Sequence, residues 1–345
     1  MRTLCKAAVG TIAMLTLAAS AGLVMADEKK TVLRVADHLP AGHFIGEYAA
    51  KYWMESVTKA TNGEVKFEYY PAQQLGKAKD MLALTLSGVT DIAYLGPAYI
   101  SEKLPLSAVA ELPGQFSTSC EGTMAYWKLA KDGVLAKKEF APNGVRVLFT
   151  YVFAPYQIYA GKREMQKLAD LEGMKLRSTG GPMDLMIQRL KGVPVRMAAP
   201  EVYESLSRGT VDGAVFPLSA LLDYKLHNLV KYGTTGENFG SFVAAYAISE
   251  KLWAKLPPNV QKAMTEAGEA TTRRTCEMAD KDTGPNLDKL KQAGVTLIQF
   301  SPEEKKQIGT LLAPVSSQWA EGLDRQGKPG SEVLKAFTAA LQQTK

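Results

Sequence analysis

Three histidines and three cysteines are all that 345 residues carry of the side chains most used in metal and thiol chemistry. The motifs are missing too. No HExxH, no CxxC and no EF-hand loop occurs, so neither a structural nor a catalytic metal is expected. No GxSxG elbow presents a nucleophile. Gly322-Leu-Asp-Arg-Gln-Gly327-Lys328 has the front of a phosphate-binding loop, but Pro329 stands where a Ser or Thr would hold Mg²⁺. A helical pattern precedes it, so it reads as a turn between two helices. No cofactor is implied. Charge of one sign is also scarce: the net charge is +6 and dispersed, which gives no basic face for nucleic acid.

Long apolar runs are absent except at the start. Arg2 and Lys6 precede an uncharged stretch, Ala7 to Ala26, which ends in the small-residue site Val24-Met25-Ala26. This pattern is expected to be a cleaved signal peptide, 1–26, giving an exported, periplasmic chain. A retained N-terminal anchor is the rival reading. Cleavage would lower the net charge from +6 to +4 by removing Arg2 and Lys6. Cys120 and Cys276 then sit in an oxidising compartment, where a disulfide is chemically allowed. Two buried small hydrophobes is the other reading of the same pair.

What remains is a globular composition, 46% hydrophobic and 22% charged, long enough for two domains. Two matching segments stand about 120 residues apart: LALTLSGVTDIAYLGP, Leu82 to Pro97, and VYESLSRGTVDGAVFP, Val202 to Pro217. Each reads as a helix stopped by a glycine (Gly88, Gly209), then an Asp (Asp91, Asp212), a short apolar strand and a proline. Two such units predict two similar α/β lobes. Asp91 and Asp212 are expected to bond nearby backbone amides and not to act as an acid–base pair.

The rest of the pattern supports this. Thr31 to Ala36 and Val65 to Tyr70 read as strands around a helix at Gly46 to Thr61, and Lys77 to Leu86 as a second helix. This βαβαβ start predicts a largely parallel sheet. Strands are expected at Val145–Tyr151, Ile158–Ala160, Met174–Ser178, Val193–Met197 and Phe242–Ser249, the last crossing back to the first lobe. Helices are expected at Pro182–Lys191 and Pro200–Arg208. Pro258 to Gln292 reads as a long helix broken at Gly284-Pro285. Pro302–Gly322 and Ser331–Gln343 follow. Arg177 ends an apolar strand and precedes Gly180-Gly181-Pro182, where backbone amides and a helix N-terminus would favour an anion. A guanidinium there offers a carboxylate a two-point fork. A surface salt-bridge arginine is the rival reading.

Leu168–Arg177 (LADLEGMKLR), Gly192–Pro217 and Tyr70–Gly76 (YPAQQLG) resemble the DctP-type solute-binding proteins of TRAP transporters, in order and spacing over most of the mature chain. The resemblance implies a two-lobed α/β fold of the periplasmic-binding-protein kind (type II-like), with hinge strands and a long helix spanning both lobes. Lobe I is placed at 27–151 with 244–283, and lobe II at 152–243 with 284–345. The implied function is capture of a small-molecule carboxylate by a monomer, for delivery to TRAP membrane subunits. Arg177 falls on the family's carboxylate-binding arginine. Gln157 stands where many members have a second arginine, and Phe216 where many have Asn. These departures point to a monocarboxylate, aromatic or apolar in body. Phe153, Tyr156, Phe216 and Tyr94 are the expected walls, with Gln157 and His38 beside them. The competing expectation is that His38 or a lysine replaces the lost arginine. A periplasmic enzyme and a ligand-presenting subunit of a membrane sensor are the alternatives; the first lacks a nucleophile–base pair.

Overall fold

The computed structural model describes residues 31–344, and the expected signal peptide lies outside them. β1 (Thr31–Ala36) and β2 (Val65–Tyr70) flank α1 (Lys51–Ala60). α2 (Met81–Ser87) leads into β3 (Ile92–Leu95), and α3 (Ser119–Lys131) into β4 (Val145–Val152). β5 (Gln157–Ala160), β6 (Lys175–Ser178), α4 (Pro182–Arg189) and β7 (Val193–Arg196) come next. α5 (Val202–Arg208), β8 (Gly213–Phe216), α6 (Leu218–Asp223) and β9 (Tyr232–Thr234) complete the second half. β10 (Val243–Ser249) follows, then α7 (Glu250–Trp253), α8 (Pro258–Lys281), α9 (Thr283–Gln292) and β11 (Thr296–Ile298). The chain ends in α10 (Pro302–Leu312), α11 (Pro314–Asp324) and α12 (Gly330–Gln342).

These strands form two sheets, ordered β2-β1-β3-β10-β4 and β11-β9-β5-β8-β6-β7. The first four strands of one repeat the order β7-β6-β8-β5 of the other, so the sequence duplication is a structural one. β1 is parallel to both its neighbours, and so is β6. The fourth strand is antiparallel in each case. The halves exchange it: β10 comes from the second half of the chain to pair with β3, and β5 from the first to pair with β8. These crossings are the hinge strands of a two-lobed α/β fold.

Gly88 (φ 76°, ψ 19°) and Gly209 (φ 75°, ψ 20°) end α2 and α5 in the left-handed region that a Cβ disfavours. Asp91 Oδ2 then accepts from the Arg34 amide of β1 at 2.8 Å, and Asp212 Oδ2 from the Lys175 amide of β6 at 2.8 Å. The two aspartates therefore pin each third strand to its neighbour, and neither faces the cavity described below. β10 is buried along its whole length, as a strand covered on both faces must be. α8 lies directly on β4, because Gly268 has no Cβ to strike the Leu148 carbonyl. Cys120 on α3 is bonded to Cys276 on α8, which decides the cysteine question for a disulfide.

Three boundaries differ from the sequence pattern. The long helix divides at Asp282, and Gly284-Pro285 falls inside the first turn of α9, where proline's missing N–H has no intrahelical partner to lose. α8 packs on α1, α3 and β4, and α9 on α6, so the pair still runs from one lobe to the other. Pro302–Gly322 is two helices, because Pro314 cannot continue α10 and instead opens α11. Segment 284–345 does not stay with the second lobe. α10 and α11 pack on α4, but α12 returns to α3, with Phe337 6.5 Å from Phe116. Its apolar stripe, Val333, Phe337, Ala340 and Leu341, needs that cover. Gly327, with φ 72°, makes the turn between α11 and α12 that the loop look-alike suggested.

Candidate ligand-binding site

The carboxyl ends of β1, β3, β6 and β8 point into one cleft between the sheets, where open α/β sheets bind their ligands. Side chains from both halves fill most of the cleft and leave a small cavity of about 20 Å³. Arg177, at the end of β6, forms its floor and is only 1% exposed. Its Nε–H donates to Met197 O, one Nη1–H to Val215 O and one Nη2–H to Tyr99 Oη, each at 3.2 Å. A guanidinium has five N–H groups. Two therefore stay free, one on each terminal nitrogen, and that is the donor set of a two-point carboxylate fork. No Asp or Glu among the described residues pairs with Arg177. Glu111, buried nearby, does not serve. Burial pushes its carboxyl up to about 8, so it is protonated at neutral pH.

Aromatic rings make the walls. Phe216 lies under the guanidinium, 5.0 Å from ring centroid to Cζ. Tyr156 stands 6.3 Å from Phe216 and 6.1 Å from Phe153. Tyr94 meets His38 edge-on at 4.5 Å. So Arg177, Phe153, Tyr156, Phe216, Tyr94 and His38 all come together around the cavity.

Gln157 does not join them. Its side chain lines a separate cleft, where its Oε1 accepts from Thr234 Oγ1 at 2.9 Å and its Nε2 donates to Glu237 O at 2.5 Å. Those bonds hold the amide away from the ligand cavity. The Gly180-Gly181 turn and the start of α4 also lie outside the cavity lining. The Gly180 amide donates to Ser178 Oγ, whose hydroxyl donates to Asp184 Oδ1, so α4 supplies its own carboxylate there.

Sequence reasoning missed Tyr99, Phe242, His43 and Tyr224, which also line the cavity. Tyr99 follows β3 two residues after Pro97, and Tyr224 follows β8 just past α6. The doubled segment held this signal, since each copy ends in a proline and an aromatic follows.

His38 and His43 carry no charge here. Burial, followed by the proximity of His43 and of the Arg177 cation, brings His38 down to about 3, and burial alone does the same for His43. His38 therefore does not replace a second arginine, and no lysine lines the cavity. Two carboxylates lie behind the histidine wall. Asp37 accepts from the Tyr69 and Tyr246 hydroxyls, and burial raises it to about 6. Asp223 of α6 accepts from the Phe44 amide at 3.1 Å, and burial raises it to about 6.

A two-lobed α/β protein with a buried cation facing a ring-lined cavity has the build of a binding protein for a small anion. The chain belongs to the DctP family of bacterial extracellular solute-binding proteins, family 7, whose sequence profile matches residues 35–322. It is 29% identical over 311 residues to a C4-dicarboxylate-binding periplasmic protein of Rhodobacter capsulatus, covering 86% of both chains. Two TRAP solute-binding proteins of solved structure share the fold. One, from a marine metagenome, holds 3-hydroxybenzoate and superposes with a TM-score of 0.85 at 24% identity, covering 92% of this chain and 99% of the other. The other, from Rhodoferax ferrireducens, holds benzoate and superposes with a TM-score of 0.83 at 23% identity, covering 91% and 98%. Among the described residues no helix is long and apolar enough to cross a membrane.

Proposed function

We propose that this protein captures a small aromatic monocarboxylate in the periplasm, without chemistry, and delivers it to the membrane subunits of a TRAP transporter. The observation that carries the reading is Arg177: a buried cation with no acidic partner among the described residues and two N–H groups left over, facing a cavity walled by rings. One carboxylate satisfies it.

A C4-dicarboxylate, the ligand named for the Rhodobacter capsulatus relative, fits poorly. Its second carboxylate would be desolvated beside neutral histidines and the carboxylates of Asp37 and Asp223, at a cost of several kcal/mol. A ring on Phe216 or Tyr156 instead buries apolar area and adds about 0.5–1.5 kcal/mol from ring geometry. The lobes are taken to divide at Val152–Phe153 and again at Phe242–Val243, with α12 counted in the first. The benzoate and 3-hydroxybenzoate complexes of the two structural relatives are in keeping with this choice.

A thermal-shift screen tests it, with benzoate, phenylacetate, succinate, malate, galacturonate and an aliphatic keto acid. Aromatic monocarboxylates are expected to raise the unfolding midpoint most, and Arg177→Met to abolish the rise. Stabilisation by succinate or sugar acids, with none by benzoate or phenylacetate, would overturn the reading.

A further inference from the structure

Three polar atoms in the cavity wall are buried and have no hydrogen-bond partner: His38 Nδ1, His43 Nε2 and Tyr224 Oη. Buried polar groups are nearly always satisfied, and one left alone costs about 1–3 kcal/mol. Three on one wall is a concentration the rest of the fold does not explain. They also stand apart from the anion end. Arg177 hydrogen-bonds Tyr99 and lies on Phe216, while His38 packs on Tyr99 and Tyr224 on Phe216, so neither His38 nor Tyr224 bonds the guanidinium directly.

Resting on the reading of the cavity as an aromatic carboxylate site, we propose that the ligand carries a hydroxyl on its ring, away from the carboxylate, and that His38 and Tyr224 read it. Their chemistry suits a hydroxyl. Neutral imidazole offers one donor and one acceptor nitrogen, and a phenol offers both kinds. A ring hydroxyl also donates and accepts. His43 Nδ1 accepts from the Ile45 amide at 3.1 Å, so its proton sits on Nε2. That N–H is 3.6 Å from Asp223 Oδ2, beyond hydrogen-bond length, and remains available as a further donor. A second carboxylate only accepts, and Asp37 and Asp223 behind the wall repel it. The wall therefore selects a neutral polar substituent.

Calorimetric titration of the mature chain with benzoate, 3-hydroxybenzoate and 4-hydroxybenzoate tests this. At least one hydroxylated acid is expected to bind about tenfold or more tightly than benzoate. Tyr224→Phe and His38→Phe are each expected to shrink that ratio by about threefold or more. Equal affinities in the unmodified protein would overturn the inference whatever the variants do, because water would then satisfy the three atoms as well as a hydroxyl. A ratio that survives both variants would overturn it too. If benzoate and both hydroxybenzoates all fail to bind, the aromatic reading itself falls, and this inference with it.

Discussion

The Tyr99 hydroxyl accepts hydrogen bonds from Arg177 Nη2 at 3.2 Å and from the Ala199 amide at 3.1 Å. Tyr99 stands on the turn after β3 of one sheet, while Arg177 and Ala199 belong to the segment carrying the other. The contact therefore forms only when the lobes meet. With two bonds accepted, the phenol proton is left to donate, and a carboxylate held by Arg177 is the acceptor that the proposed function supplies. Tyr99 thus ties lobe closure to the anion.

Tyr99→Phe keeps the ring and removes this tie. A hydrogen bond to a charged group contributes about 1.5–3 kcal/mol. Affinity for the best acid of the screen is expected to fall roughly tenfold or more. Stopped-flow fluorescence should show most of the loss in faster dissociation, as the closed state opens more readily. Unchanged dissociation would leave Tyr99 as wall only.

Gln157 makes the opposite case. It sits at a position suggestive of the ligand, yet its amide is spent on Thr234 and Glu237. Gln157→Met should destabilise the fold by about 1–3 kcal/mol, through polar groups left unpaired. Ligand affinity should stay within about threefold. A large loss of affinity at unchanged stability would place Gln157 back in the site.

Glu111 should set part of the pH dependence of stability. Its carboxyl titrates at about 8 in the folded protein against an ordinary 4.5. Between those values the folded state holds a proton that the unfolded chain has lost. Its contribution to stability therefore falls as pH rises from 4.5 and is gone above 8. Glu111→Gln stays neutral throughout. The variant should unfold several degrees above the unmodified protein at pH above 8, and close to it near pH 4.5. A constant difference across that range would contradict the assignment.

The Cys120–Cys276 bond closes a loop of sequence separation 156 between α3 and α8, both packed on β4. Disulfides closing loops of this kind contribute roughly 2–4 kcal/mol. The double variant C120A/C276A should show a clearly lower unfolding midpoint by calorimetry, with ligand affinity little changed. An unchanged midpoint would mean that packing alone holds α8 in place.

Much of the fold was legible because its signals are local. The Gly88–Asp91 and Gly209–Asp212 pattern encodes a helix stop and a strand pin within a few residues, so the duplication could be read directly. Arg177 stood out as a cation closing an apolar strand. The cavity's other half was not legible. Tyr99, His43, Phe242 and Tyr224 meet only when strands exchanged between the halves bring distant segments together, and no local period records that. Gln157 misled for the same reason: resemblance gave its place in the chain, while Thr234 and Glu237, about 80 residues on, decide where its amide turns. The break at Asp282 shifted by two residues because proline is tolerated in a helix's first turn.

A crystal structure of the protein grown with benzoate tests the central claim most directly. The carboxylate is expected on the two free N–H groups of Arg177, with one oxygen about 2.7 Å from Tyr99 Oη and the ring packed against Phe216 or Tyr156. A benzoate bound with its carboxylate away from Arg177, or an empty cavity at saturating benzoate, would contradict the account.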